Sequence, residues 1–242
     1  MSSKQILALS SSRSGNESYL ESAADIIKDF LGDKPLKIAF IPFALAGNNY
    51  EAYLNDVRVA LKKLPHTIFE VHHTHAKTVI GECDVIMIGG GNTFKLLHDL
   101  YAGGILEMIR EKINAGAPYI GWSAGANITA PTIGTTNDMP IIQPQSFKAL
   151  EFFPFQINPH YYNQAPEGFN GETRNKRLFE FITMNPSKKV IGLPEGTALQ
   201  LQQSVLKFIG NQPGVLFSAS EDNAEPIIKQ IENGEDLTFL LE

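Results

Sequence analysis

The sequence predicts an α/β fold: a mostly parallel sheet flanked by helices, with an antiparallel hairpin near the C-terminus. Three observations carry this. Short apolar runs alternate with segments of helical period through the first half of the chain, the order expected of βαβ units. Runs such as LKIAFIP, DVIMI and PYIGW show almost no polar alternation, as expected of strands covered on both faces. Beyond residue 189 strand-like runs follow one another directly, which a parallel crossover does not allow.

QILALS (5–10) is the first strand. Ser14 and Asn16 offer N-caps to a helix in which Leu20, Ala23, Ala24, Ile27 and Leu31 recur at helical spacing, and Gly32 suits its C-terminal cap. LKIAFIP (36–42) is the second strand, ended by Pro42, and Leu54, Val57, Leu61 and Leu64 mark the next helix face. TIFEVHH (67–73) and DVIMI (84–88) are the third and fourth strands. Helical pattern resumes at NTFKLLHDLY (92–101) and ILEMIREKI (105–113), before PYIGW (118–122) as fifth strand. Residues 129–171 are rich in Pro, Asn, Gly and Gln, and a loop of this length in a compact domain is usually functional. Its aromatic residues, Phe152, Phe153, Phe155, Tyr161 and Tyr162, argue against disorder. GETRNKRLFEFI (171–182) is helical. KVIGLP (189–194), TALQLQQ (197–203), SVLKFIG (204–210) and VLFSAS (215–220) are strands, and NQPG (211–214) predicts a hairpin between the last two. No repeat, low-complexity tract or linker interrupts the chain, so one domain over 1–242 is expected.

Composition removes several function classes. An apolar content of 43% with 19% charged residues fits a globular protein with a large core. A net charge of -6 without any Lys/Arg-rich run provides no stripe for nucleic acid. No apolar run approaches the roughly 20 residues of a membrane span, and MSSKQILALSSS is too polar for a signal peptide. A cytoplasmic protein is expected. Cys83 is the single cysteine, so no internal disulfide forms; it reads as a near-core thiol.

The chemistry concentrates after the fifth strand. Gly121-x-Ser123-x-Gly125 follows that strand and opens a helix. A serine nucleophile needs small neighbours there because the turn is tight, and the helix N-terminus turns backbone N–H groups toward a developing oxyanion. GxSxG also occurs by chance, and an ordinary turn serine is the plainer reading. GGGN (89–92) follows the fourth strand. It reads as a tight turn, a phosphate cradle or the second half of an oxyanion hole, although neither phosphate-loop motif is present. Both glycine loops lie at C-terminal strand ends, where open α/β sheets place ligands.

A serine needs a base. His72, His73 and His75 cluster, but no neighbouring ligand completes a metal site, so they read as solvated strand-end residues and no metal is expected. His98 lies on a helix surface and His66 in a turn. His160 ends the apolar segment FPFQINPH in the serine's half of the chain and is the best base. The base needs an orienting carboxylate. Asp138 in TTNDMP and Glu195 in GLPEG are both candidates, and the residues alone do not choose. Arg174, at the start of a helix, is either a surface arginine or a planar fork for a carboxylate.

Taken together, GGGNTFKLL (89–97), YIGWSAGANITAPTIGTTNDMPI (119–141), FPFQINPHYYN (153–163), PEGFNGETRNKR (166–177) and VIGLPEG (190–196) resemble peptidase family S51. The resemblance covers about the central half of the chain. It implies a flavodoxin-like sheet related to class I glutamine amidotransferases, with serine where those enzymes carry cysteine. It implies hydrolysis of dipeptides with an N-terminal aspartate, with no metal or other cofactor, by a homodimer. By position, Ser123 is then the nucleophile, His160 the base, and Glu195 or Asp138 the acid. Gly91 and Ala124 supply the oxyanion N–H groups, and Arg174 holds the substrate's side-chain carboxylate. The competing readings are a cyanophycin-cleaving relative, a general α/β-hydrolase esterase, and a binding module that lost its chemistry.

Overall fold

The computed structural model describes residues 4–47, 49–164, 167–168, 170–220 and 225–242. Five parallel strands form the centre: β1 (Ile6–Leu9), β2 (Lys37–Ile41), β3 (Thr67–Glu70), β4 (Val85–Ile88) and β5 (Tyr119–Trp122). The helices between them are α1 (Glu21–Leu31), α2 (Tyr50–Ala60), α3 (Ala76–Glu82), α4 (Thr93–Ala102) and α5 (Ile105–Asn114). A one-turn helix, α6 (Ala124–Asn127), follows β5. Strand β6 (Gln156–Asn158) interrupts the long irregular segment; α7 (Arg174–Met184), β7 (Val190–Gly192), β8 (Ala198–Gln202), β9 (Val205–Ile209), β10 (Gly214–Ser218) and β11 (Ile227–Ile231) follow.

Two sheets result. The larger runs β3-β2-β4-β5-β1-β8-β9, with β8 and β9 antiparallel to their neighbours. The smaller runs β11-β10-β7-β6, in which only β6 and β7 are parallel. The expected hairpin across NQPG is therefore corrected. The antiparallel hairpin is β8–β9, closed by Gln203 and Ser204, both at positive φ. That turn geometry matches strand twist, whereas β10 leaves for the second sheet to pair with β7 and β11.

Side chains of the central strands alternate between two cores. Leu7, Leu9, Phe40, Met87, Ile120 and Trp122 pack beneath α1 and α2. Ile6, Ala8, Ala39, Ile41, Ile86 and Ile88 point the other way, toward α3, α4, α5 and part of the second sheet. Strands β1, β4 and β5 are buried on both faces, which is why they read as continuous apolar runs. In α1, Ala23, Ile27 and Phe30 form the buried stripe and Gly32 caps the end at positive φ. The N-cap expectation for Ser14 and Asn16 fails: Leu20 occupies that position, in left-handed geometry and without a side-chain cap. Strand β3 stops at Glu70 rather than His73. Cys83 is buried.

Candidate active site

Three adjacent strands, β4, β5 and β1, end together, since Ile88 is in register with Gly121 and Leu9 with Trp122. Their following loops carry Gly89–Gly91, Ser123 and Ser10. Ser123 sits at φ 54 and ψ −112, a backbone strain that projects its side chain from the turn. The flanking glycines are forced by contact. A Cβ on Gly121 would meet the Gly125 carbonyl oxygen at 2.5 Å, and one on Gly125 would meet the Ile88 oxygen at 2.3 Å. Tyr119, fully buried, donates its hydroxyl to the Gly125 oxygen at 2.6 Å and fastens α6 to β5. The two glycine loops touch, because a Cβ on Gly90 would lie 2.9 Å from Cβ of Ser123.

His160 follows β6 by two residues, at φ 51. Its Nε2 lies 2.9 Å from Ser123 Oγ and its Nδ1 lies 2.8 Å from Glu195 Oε1. With Glu195 ionised, Nδ1 carries the ring proton and donates it, which leaves Nε2 to accept from the serine hydroxyl. Glu195 stands in the turn after β7, beside β6 in parallel register. Asp138 does not reach His160. Its Oδ2 accepts the Thr93 N–H at 2.7 Å, the Thr93 hydroxyl at 2.6 Å and the Thr136 hydroxyl at 3.2 Å. It is committed to the first turn of α4, where a negative charge is favoured, yet it lines the same cleft as Ser123, Ala124 and His160.

Arg174 is the first residue of α7, as the sequence expected of a helix start. One terminal nitrogen donates to Oδ1 of Asn137, another wall residue of that cleft. Its Nε is buried without a partner among the described residues. Burial, and then the nearby Arg177 charge, lowers the guanidinium pKa below its ordinary value. The N–H groups of Gly91 and Ala124 meet no protein acceptor among the described residues. Gly91 has φ 135, and its Cβ would fall 2.4 Å from the Ala44 oxygen. Among the described residues, no group of three His, Cys, Asp or Glu side chains could hold a metal. His72, His73 and His75 are exposed, with His73 stacked on Phe43.

The profile of Peptidase family S51 matches residues 6–209. The chain belongs to peptidase family S51. It is 45% identical over 224 residues to "Peptidase E" of Nostoc sp., covering 92% of this chain and 93% of that protein. It is 48% identical over 216 residues to "Peptidase E" of Shewanella denitrificans, covering 89% and 92%. Among solved structures, a putative peptidase E protein from Listeria monocytogenes superposes with TM-score 0.67 at 24% identity, covering 87% of this chain and all of that one. A peptidase from an acI-B1 actinobacterium gives TM-score 0.68 at 17% identity over 97% and 96%. These two establish the fold. This S51 member is a peptidase of the serine dipeptidase type, and the esterase and cyanophycin-cleaving alternatives are not favoured.

Sequence reasoning missed several residues of this S51 site. Buried Ser10 donates its hydroxyl to the Leu193 oxygen at 2.7 Å and accepts the His160 N–H at 3.0 Å. Asn137 accepts from Asn158 as well as Arg174, and donates to the Pro159 oxygen at 2.7 Å. Ser10 carried a readable signal, the C-terminal end of a central strand; Asn137 carried none beyond its neighbour Asp138. Chemistry rather than volume marks the site, since a 370 Å³ hollow lies between Lys4, Glu151, Pro154 and Leu241, away from Ser123.

Proposed function

We propose that this protein hydrolyses dipeptides carrying an N-terminal aspartate, through Ser123, His160 and Glu195 and an acyl-enzyme. The observation that carries the reading is the unbroken line from Ser123 Oγ through both His160 nitrogens to Glu195. His160 takes the hydroxyl proton as Oγ attacks the scissile carbonyl. The oxyanion receives the N–H groups of Gly91 and Ala124, each such donor typically contributing about 2.7–4 kcal/mol. His160 then protonates the departing amine, and water activated by the same imidazole releases aspartate from Ser123.

Specificity needs an anion site and a cation site. Arg174 keeps a buried Nε that has no partner among the described residues, beside its bond to Asn137, and such a desolvated fork gains most from a carboxylate. It serves the β-carboxylate of the substrate. Asp138 receives all its donors on Oδ2, leaving Oδ1 for the free α-ammonium. Glutamate would carry its carboxylate one methylene too far for a fixed Arg174.

A dipeptide panel varied at the first residue tests this, run on wild type and Ser123→Ala. Asp-Leu should be cleaved well above Glu-Leu, Ala-Leu and Leu-Leu, and the variant should be inactive. Equal cleavage of Asp-Leu and Ala-Leu would overturn the specificity, and an active Ser123→Ala the mechanism. A homodimer, carried over from the family resemblance, is checked by light scattering of the purified chain. Among the described residues no helix is long and apolar enough to cross a membrane.

A further inference from the structure

Tyr53, on α2, is not called for by any step of that mechanism, yet its hydroxyl reaches the oxyanion loop. It donates to the Gly90 carbonyl oxygen at 3.0 Å. The Gly90 C=O and the Gly91 N–H belong to one rigid peptide plane, so a donor clamped on the oxygen fixes where the N–H points. Glycine has little intrinsic resistance to rotating that plane, and this loop carries three in a row. The fit is close: a Cβ on Gly89 would lie 2.4 Å from the Tyr53 hydroxyl oxygen.

The phenol is itself held firmly. Its ring packs edge-on against Phe40 at 5.1 Å and Tyr19 at 6.3 Å. Phe40 stacks on Trp122, the residue before Ser123, at 5.9 Å. The aromatic box thus backs both halves of the site, since Gly90 also abuts Trp122 and Ser123. Burial raises the Tyr53 pKa, so the group stays a donor through the neutral range.

We infer that Tyr53 is a positioning residue that locks the Gly90–Gly91 peptide with its N–H toward the oxyanion. This rests on the serine mechanism proposed above. The clamp also polarises the peptide, because a hydrogen bond to its oxygen strengthens its N–H as a donor. Its effect is felt when negative charge builds on the substrate oxygen and little when substrate merely binds.

The test compares Tyr53→Phe with wild type in kcat and KM on Asp-Leu, and in inhibition by aspartate and by its boronic acid analogue, which forms a tetrahedral adduct on serine. Removing one hydroxyl hydrogen bond should lower kcat and boronate affinity together by about three- to tenfold. KM and aspartate affinity should stay within about twofold. Boronate affinity near wild type in a folded variant, with Ser123→Ala inactive, overturns the clamp and leaves the serine mechanism standing. So does a parallel loss of boronate and aspartate affinity, the mark of a merely structural role. An active Ser123→Ala removes the mechanism and the clamp with it. If Tyr53→Phe does not fold, Tyr53→3-fluorotyrosine supplies a stronger donor of nearly the same shape. A changed ratio of boronate to aspartate affinity then supports the clamp, and an unchanged ratio overturns it.

Discussion

The hydroxyl of Ser10 accepts the backbone N–H of His160 at 3.0 Å, joining positions 150 residues apart in the chain. The same hydroxyl donates to Leu193, two residues before Glu195. One side chain just beyond the end of β1 therefore pins the segments that carry both His160 and Glu195. Ser10→Ala should leave the partly buried His160 N–H unpaired and remove one of two donors from the Leu193 oxygen, which the Tyr161 N–H still reaches at 2.9 Å, costing about 1–3 kcal/mol of stability. Urea unfolding measures that, and kcat should fall as His160 loses its support at positive φ. A variant with wild-type midpoint and kcat would show the anchor to be idle.

Glu195 and Asp138 should separate kinetically. Glu195→Ala removes the partner of Nδ1 and should lower kcat by roughly 10²-fold. Asp138→Asn should raise KM, through the substrate amine, and cost some stability at the α4 N-terminus. If Glu195→Ala instead kept kcat and raised only KM, the assignment of the two acids would have to be exchanged.

Arg174 carries a charge that burial disfavours, so an anion should relieve it. Aspartate added at about 100 times its Kd should raise wild-type stability by about 2.7 kcal/mol. Arg174→Met should lose most of that response and the preference for Asp-Leu over Ala-Leu. A thermal-shift series with and without aspartate reads the first, and kcat/KM on the two dipeptides the second. An unchanged substrate ratio would take Arg174 out of the site.

Lys95 and Asp99, one turn apart on α4, support the loop behind the glycines. Lys95 donates to Asp99 at 2.6 Å and to the Phe43 oxygen at 3.1 Å, while the next residue, Ala44, packs on Gly91. Burial pushes the Asp99 carboxyl up, but hydrogen bonds from Lys95 and His98 and the Lys95 charge outweigh it, and its pKa falls below the ordinary 3.8. The stability it contributes is thus present above about pH 4 and lost as pH falls through the lower folded value. Burial likewise opposes the Lys95 charge, but its bonds to Asp99 and Tyr50 raise its pKa above 10.5. Its share is present below that value and lost in stronger alkali. Asp99→Asn should cost about 1–3 kcal/mol at neutral pH and flatten the acid limb of the stability profile. An unchanged acid limb would assign the acid loss to other carboxylates.

The first half of the fold was legible because its strands are buried on both faces and its helices bury one stripe; Ile86, Met87 and Ile88 announce themselves as apolar neighbours. The smaller sheet was not. Strand β11 has four exposed residues in five, and β6 has three residues with two polar side chains, so neither presents a period to read. The NQPG hairpin misled for a related reason: turn chemistry signals that the chain reverses, not which strand it then pairs with.

The residue types of the site, and their grouping into motifs, were determined by sequence alone. Ser123 between glycines, His160 after Pro159 and two candidate acids could each be named without coordinates. Only the tertiary structure decided which acid meets the imidazole. Parallel pairing of β6 with β7 carries Glu195 to Nδ1, while the α4 N-terminus draws Asp138 away. The choice depends on strand register and helix placement between segments distant in the chain, and no local pattern of residues encodes that distance.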